Sequence, residues 1–565
     1  MVTPRDEAGD VQTLLCSRSP APNTHCNRPR NPGSAASPAT SESIWLAAHG
    51  GRRAAADYTA VVHVVVCNRL TEYQGIEIIS AVLKAAGHRV DLVFEPDLLT
   101  AAFLRALPGP LARRVDSVDR AARRLVALSP DVVLFPSEIN SFDWCSRVGA
   151  QAKSELPSAF MVHGGFHVTS SPDECIERPG VDVLCIGEGD HALPEFVDAL
   201  AAGEEHREIP NLWVKDPDGT VHRNKPRPLV QDLDSLPYPD KSLYYDDLPG
   251  LAREYVCVAS RGCHWACSFC FYTTLYDIYG RNGFVRTRSP QHVIGELKEA
   301  KRRWSPEYIV FHDDIFPTSL KWLKEFAPLY IEHIGLPFSC ITHPQLVRQE
   351  TADLLGAMDC RYVIMGSQTA NEDSRSEEVL NRTESSEEIA VATKRLRAHG
   401  IFVLLDHIFG VPGESEQDQE DALRFYLEAA PDVVKPFFMS YFPGTDLTKR
   451  AEEASSVEKD ELDRNVEGGW DHFMFEGALS GNDYRPYNLA YALWPMLGTN
   501  GRRKMIEHGL HKKFAAVGGL PGLGNIILFP RLVTGLLNDR DIRPKLYLNY
   551  LRTIVRYQVK NGLLP

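Results

Sequence analysis

Between residues 60 and 440, short apolar runs rich in β-branched residues alternate with stretches of helical period, and this alternation restricts the fold more than any other feature. The first series holds Val61–Val66, Val90–Phe94, Asp131–Phe135, Ala159–Val162 and Val181–Ile186, with helical patterns such as Ile76–Ala86 and Asp116–Leu128 between them. Strands that are apolar on both faces and separated by helices pack as a parallel sheet covered on both sides. Such a doubly wound sheet takes its ligand at the carboxyl ends of the strands. A second series begins at Glu254, with strands at 254–260, 307–312, 337–342, 361–366, 401–409 and 432–440. Helices at 290–303, 317–333, 350–358, 385–399 and 416–429 fall between them. Six consecutive βα units predict a partial (β/α)6 barrel, again with its chemistry at the carboxyl ends. The expected organisation is therefore α/β throughout: a doubly wound domain over 59–204, a linker over 205–253, the partial barrel over 254–445, and a mostly helical region over 446–565. Residues 1–58 are rich in Pro, Ser, Ala, Arg and Asn without a hydrophobic period, and read as a disordered leader.

Just after the first barrel strand, where a catalytic loop belongs, the chain reads Arg261-Gly-Cys263-His-Trp-Ala-Cys267-Ser-Phe269-Cys270. Three thiols in so short a segment can hold three irons of a cubane 4Fe–4S cluster, for which thiolate is the usual ligand. The fourth iron then has no protein ligand and stays open. A zinc knot or simply buried thiols are the alternatives. Zinc takes four ligands, and His264, lying between two of the cysteines, is badly placed as the fourth. Ligand preference favours iron. The twelve cysteines of this 565-residue chain do not form a secreted disulfide framework. Sixty-one basic against 75 acidic residues give a net charge of −14 with no dense Lys/Arg run, which argues against nucleic acid as a partner. A small acidic substrate held by a few arginines is still allowed. No apolar run reaches the roughly 20 residues of a membrane span; Ile526–Leu537 comes nearest and is broken by Pro530 and Arg531. With no signal pattern at the first residues, a cytoplasmic protein is expected.

The spacing Cys-x3-Cys-x2-Cys with Phe269 before the last cysteine resembles the radical S-adenosylmethionine (SAM) superfamily. Upstream, Gly164-Gly165-Phe-His167, Gly187-Glu188-Gly189 and Leu236-Pro-Tyr-Pro239 precede the cysteine loop, an order similar to the cobalamin-binding subclass over residues 60–445. The resemblance implies that Cys263, Cys267 and Cys270 hold the cluster. It also implies that Asn68 to Gly75, Ser137-Glu138, Gly164-Gly165 and Gly187-Glu188-Gly189 line the corrin and its nucleotide tail, where glycine lets backbone approach a bulky planar ligand. The loop Asn68–Gly75 has neither the Asp nor the His of the Asp-x-His-x-x-Gly pattern, so cobalamin would bind without an axial histidine; a domain that has lost cobalamin and is only structural is the alternative. Gly187-x-Gly189-x-x-Ala192 also fits a relaxed dinucleotide fingerprint, but after the fifth strand instead of the first. His167 is either near the corrin or an ordinary hydrogen-bonded loop histidine.

Four further stretches fall where the barrel of that superfamily would place them: Phe311-His-Asp313-Asp314, Met365-Gly-Ser-Gln368, Asn381-Arg382 and Gly410-Val-Pro-Gly413-Glu414. By the same resemblance, Phe269 sets its backbone against the adenine of SAM, Gln368 stands where many relatives have glutamate near SAM, and Arg382 neutralises the SAM carboxylate with its fork of donors. Asp313 and Asp314 read either as an acid/base pair or as a polar strand end that caps the next helix. Tyr272, Tyr276 and Tyr279 are packing residues or proton donors. The activity implied is a cobalamin-dependent radical SAM methyltransferase acting on an unactivated carbon of a small natural-product intermediate, served by an electron donor such as flavodoxin or ferredoxin. An oxidative cyclase or ring-rearranging enzyme with the same cofactors, and a non-catalytic cofactor sensor, are the other two readings.

Overall fold

Alternate residues of the first strand, β1 (His63–Asn68), enter two different cores. Val64 and Val66 pack with Ile79 and Leu83 of the helix Gln74–Ala85 and Phe196 of the helix Ala192–Ala202. Val65 and Cys67 face the other way, onto Leu125 of Val118–Leu128 and Val148 of Phe142–Lys153. This follows from the two-residue side-chain period of a strand covered on both sides. The computed structural model describes residues 60–69, 71–96, 117–454, 483–515 and 543–560. The proposed leader 1–58 and the run Ile526–Leu537 lie outside the described residues. With β2 (Arg89–Phe94), β3 (Val132–Pro136), β4 (Phe160–Gly164), β5 (Val183–Cys185), β6 (Leu212–Lys215) and β7 (Val221–Arg223), the sheet runs in the order β2-β1-β3-β4-β5-β6-β7. The first five strands are parallel, so strand order reverses between β1 and β3. That reversal opens a crevice at the carboxyl ends. The segment expected to be a linker supplies β6 and β7, each antiparallel to its neighbour. Runs of four and three residues are too short to show a period in sequence.

The second sheet is the partial barrel: β8 (Glu254–Cys257), β11 (Tyr308–Phe311), β12 (Phe338–Thr342), β13 (Cys360–Gln368), β14 (Phe402–Phe409) and β15 (Val433–Phe438), all parallel and in chain order. Between β8 and β11, β9 (Ser260–Arg261) and β10 (Arg286–Thr287) form a separate antiparallel pair. The first barrel strand therefore stops at Cys257 and not at 260. Asp313 explains the break: its carboxylate accepts from Ala259 N at 3.0 Å and from Ser260 Oγ at 2.5 Å, turning the chain out of the sheet. Four of the barrel helices start where a serine caps them. Ser289, Ser319, Ser385 and Ser415 each accept from a backbone N–H of the first turn, and Ser385/Glu388 and Ser415/Asp418 complete capping boxes. The C-terminal helix Arg543–Lys560 reaches the first domain, where Arg124 Nη2 donates to Tyr557 Oη at 3.0 Å and Gln558 donates to Pro96 O at 3.3 Å. No described helix is long and apolar enough to cross a membrane.

Candidate active site

The cysteine loop is clamped from several sides. Tyr276 donates to Cys263 O, Asn381 Nδ2 to Ala266 O at 2.7 Å, and Ser268 N to Leu380 O at 3.1 Å. Gly262 precedes it at φ +95°, and a Cβ there would stand 2.7 Å from Phe284 O, so the turn into the loop requires glycine. Cys263, Cys267 and Cys270 are free thiols that act electrostatically on one another, and burial is the main force raising all three. Among the described residues, no three His, Cys, Asp or Glu side chains gather tightly enough for one metal ion. A cubane makes a different demand, because its thiolates bind three separate irons and stand further apart. Three neighbouring thiols with no fourth protein ligand and no disulfide fit a 4Fe–4S cluster better than zinc.

Above the loop lies a cavity of about 430 Å³ with walls from both domains. Gly75, Glu138, Gly164, Gly165, Gly187 and Gly189 line it from the first sheet; Arg261, Phe271, Tyr272 and Asp314 line it from the barrel. Thr169 ties two of the glycine loops together, donating to Gly165 O at 2.9 Å and accepting from Gly187 N at 3.0 Å. Gly165 lies at φ +115°, and a Cβ there would press within 3.2 Å of the Ser137 backbone; at Gly187, φ +76°, it would run into the Tyr279 hydroxyl. This open, mostly apolar cradle of glycines fits a large planar ligand such as a corrin. A second cavity of about 250 Å³ opens at the ends of β13–β15, lined by Phe269, Cys270, Gln368 and Asp406 among others. Phe271 borders both spaces.

Several expected site residues do something else. Asn68 is buried and donates to Tyr244 Oη at 3.0 Å and to Thr71 O, away from the cavity wall. Ser137 is buried behind Gly165, with its hydroxyl 3.0 Å from His163 Nδ1. Glu188 reaches the cavity wall, but its carboxylate is taken up by Arg286 Nη1 at 2.8 Å and Arg261 Nη1 at 3.1 Å. Asp190 adds a bidentate pair to Arg261, at 2.7 and 2.9 Å. The Gly187-to-Asp190 loop therefore fastens the first domain to the arginine two residues before Cys263. Arg382, expected at the carboxylate of SAM, has its guanidinium engaged by Glu384 Oε1, by Gly366 O at 3.0 Å and by Cys267 Sγ at 3.6 Å. His167 packs on Phe142 in the core, where burial lowers it to about 4. Asp313 is the structural group described above, with burial pushing it to about 7. Asp314 faces the cavity and accepts from Tyr272, which is a wall residue instead of simple packing.

Sequence reasoning missed Arg261, Arg286 and Asp190, and also Asp406, whose Oδ1 is buried in the second cavity wall without a hydrogen bond. The Asp406 carboxyl, four residues before the Gly410 turn, is raised to about 6 by burial, opposed by Lys435 and Arg382.

Glu138 faces the cavity with burial alone acting on it, which pushes its carboxyl from 4.5 to about 7. A raised folded value means the fold favours the protonated acid: that contribution is full below pH 4.5 and is lost as pH rises through 7. At about 1.4 kcal/mol per unit the loss amounts to about 3 kcal/mol. Glu138→Gln should therefore match the parent at pH 4 and exceed it by up to about 3 kcal/mol at pH 8, in urea unfolding of the cofactor-free protein. An equal difference at both pH values would remove the carboxyl as the cause.

Residues 62–197 match the B12 binding domain and residues 257–426 match the Radical SAM superfamily. An uncharacterized methyltransferase of Pyrococcus horikoshii is 28% identical over 58% of this chain and 71% of its own length. The cytidylyl-2-hydroxyethylphosphonate methyltransferase of Streptomyces wedmorensis is 24% identical over 71% of this chain and 84% of its own. Among solved structures, the cobalamin-dependent S-adenosylmethionine radical enzyme OxsB with aqua-cobalamin bound superposes with a TM-score of 0.61, at 13% identity, over 92% of this chain and 86% of that one. The radical S-adenosylmethionine methyltransferase TsrM from Kitasatospora setae, with cobalamin and cluster bound, gives 0.56 at 17% identity over 70% of this chain and 76% of that one. At these identities the two structures show a shared fold.

Proposed function

The chain is a radical SAM enzyme with a B12 binding domain, and from that premise we propose that it is a methyltransferase acting on an unactivated carbon of a small natural-product intermediate. One observation carries this reading: a single cavity is walled both by the glycine-lined ends of the first sheet and by the segment that follows the cluster cysteines. Transfer between a cobalt-bound group and a carbon activated from the barrel side needs such a shared space. When bound, the cofactors supply one-electron cleavage of SAM and a transferable methyl group; the protein supplies position and exclusion of water. Gly75, Gly164, Gly165, Gly187 and Gly189 would seat the corrin, with Glu138 at its rim. Phe269, Gln368 and Asp406 would line the SAM site beside Cys270. Phe271, between the two cavities, would keep the substrate between SAM and corrin. The methyltransferase relatives support the reaction class. The substrate class is supported by the cytidylyl-2-hydroxyethylphosphonate methyltransferase relative, whose name gives a small-molecule substrate.

The test is anaerobic turnover of the reconstituted enzyme with cobalamin, SAM and a flavodoxin- or ferredoxin-type electron donor, against metabolites of neighbouring genes. A methylated product should appear together with S-adenosylhomocysteine and 5′-deoxyadenosine. An unmethylated, rearranged product with 5′-deoxyadenosine alone would replace methyl transfer with cyclisation. Absence of any SAM turnover by cluster-loaded protein would leave a cofactor sensor.

A further inference from the structure

The guanidinium of Arg382 is wedged against the cluster loop, with only 6% of the side chain exposed. Nη1 approaches Cys267 Sγ at 3.6 Å, Nη2 donates to Gly366 O at 3.0 Å, and Nε donates to Glu384, whose side chain is fully buried. The other oxygen of Glu384, Oε2, lies 3.3 Å from His343 Nε2. The His343 ring stacks on Trp265 of the cysteine loop, centroids 3.7 Å apart and planes 15° off parallel. His343 Nδ1 accepts from Gln345 N at 3.4 Å, while Nε2, besides facing Glu384 Oε2, lies 3.4 Å from Arg382 Nη2. The carboxylate thus sits on the Nε side of the guanidinium, and the cationic edge is turned to the sulfur. Charged N–H donors hold such positions rigidly, and arginine keeps its charge at every accessible pH.

We propose that Arg382 sets the reduction potential of the 4Fe–4S cluster by donating to the thiolate of Cys267. This rests on the reading that Cys263, Cys267 and Cys270 carry that cluster. One-electron reduction adds negative charge to a cluster already bearing three thiolates. A cation and an N–H donor on a ligand sulfur stabilise the reduced form more than the oxidised one, and hydrogen bonds to sulfur and local charge are among the levers that set such potentials. Burial makes the interaction stronger than the same contact in water. Arg382 is a positioning residue here, acting on the electron through Cys267, and it raises the potential toward that of the external one-electron donor. Glu384 moderates the effect as the counter-charge.

The experiment is a redox titration of anaerobically reconstituted full-length protein without SAM, following the reduced cluster by electron paramagnetic resonance. Arg382→Gln should titrate at a more negative potential than the parent while holding the same iron and sulfide. Arg382→Lys keeps the charge without the fork and should fall between the two. Glu384→Gln keeps shape but loses the counter-charge, and should shift the potential in the positive direction. Parent-like potentials in both Arg382→Gln and Glu384→Gln overturn the proposal. If Arg382→Gln assembles no cluster, the Glu384→Gln titration decides: a positive shift supports the role, and no shift or a negative one overturns it. A parent protein without a 4Fe–4S cluster would instead overturn the cluster reading, and the role of Arg382 with it.

Discussion

Replacing any one of Cys263, Cys267 or Cys270 by alanine is expected to abolish 5′-deoxyadenosine formation. The loop is held by bonds that do not involve the thiols: Tyr276 on Cys263 O, Asn381 on Ala266 O and the Ser268–Leu380 backbone pair. An alanine variant should therefore keep its fold and lose the cluster. The remaining two thiolates cannot hold a cubane securely, and no other described His, Cys, Asp or Glu gathers with them closely enough to share a metal ion. Iron and sulfide content, the visible absorbance of the cluster, and SAM cleavage under reduction should fall together, while circular dichroism stays that of the parent. A single variant that cleaves SAM at the parent rate would remove the cluster assignment. Cys257, Cys340 and Cys360 are buried in strands, and alanine at any of them should leave iron content unchanged.

Asp190→Ala is expected to cost about 3 kcal/mol of stability, as breaking one side of a buried ion pair does. The carboxylate is 5% exposed and grips Arg261 with both oxygens; without it Arg261 shares Glu188 with a second arginine, Arg286. Burial acts to raise the Asp190 carboxyl, but the Coulomb attraction and hydrogen bonds of Arg261 overcome it and hold the group below its ordinary 3.8. A depressed folded value means the stabilisation is present above pH 3.8 and is lost as pH falls through the folded value. Parent and variant should thus differ in urea unfolding at pH 7 and converge in strong acid. Arg261 also stands two residues before Cys263, so loosening it shifts the cluster relative to the first domain. SAM cleavage should persist in the variant while methylated product drops more steeply. A variant as stable as the parent at neutral pH would show that the pair does not bind the two domains together.

The order of elements was legible in the chain because each barrel unit repeats the same local signals. The expected helices 290–303 and 416–429 coincide with those found, since Ser289-Pro290 and Ser415 mark their starts and apolar period carries them through. Where a longer-range partner decides, sequence was silent. Nothing local says that Asp313 captures Ala259 and Ser260, 54 and 53 residues earlier, and so ends β8. The two adjacent aspartates then take opposite roles: one is spent on the β8 turn and the other meets Tyr272 at the cavity. The cysteine triad announced itself through spacing alone. The resemblance implied that Glu188 lines the corrin, and no local signal points to its partners, which lie 73 and 98 residues onward. Charge pairing across domains leaves no periodic trace, and that is why the roles of Arg261 and Arg286 were not anticipated.

The C-terminal helix has a consequence for how the molecule is made. Tyr557 meets Arg124 and Phe94, 433 and 463 residues away in the chain, and Gln558 meets Pro96 across 462. The B12-binding lobe is synthesised before the barrel, yet one of its faces is covered by a helix that is synthesised after the barrel. Contacts of such separation carry a high loop-closure cost and form late. Until then Phe94 O keeps Arg124 as a donor but lacks Tyr557, and Arg124 lacks the hydroxyl to which its Nη2 donates. That face of the lobe is therefore completed after the barrel that follows it in the chain has been synthesised.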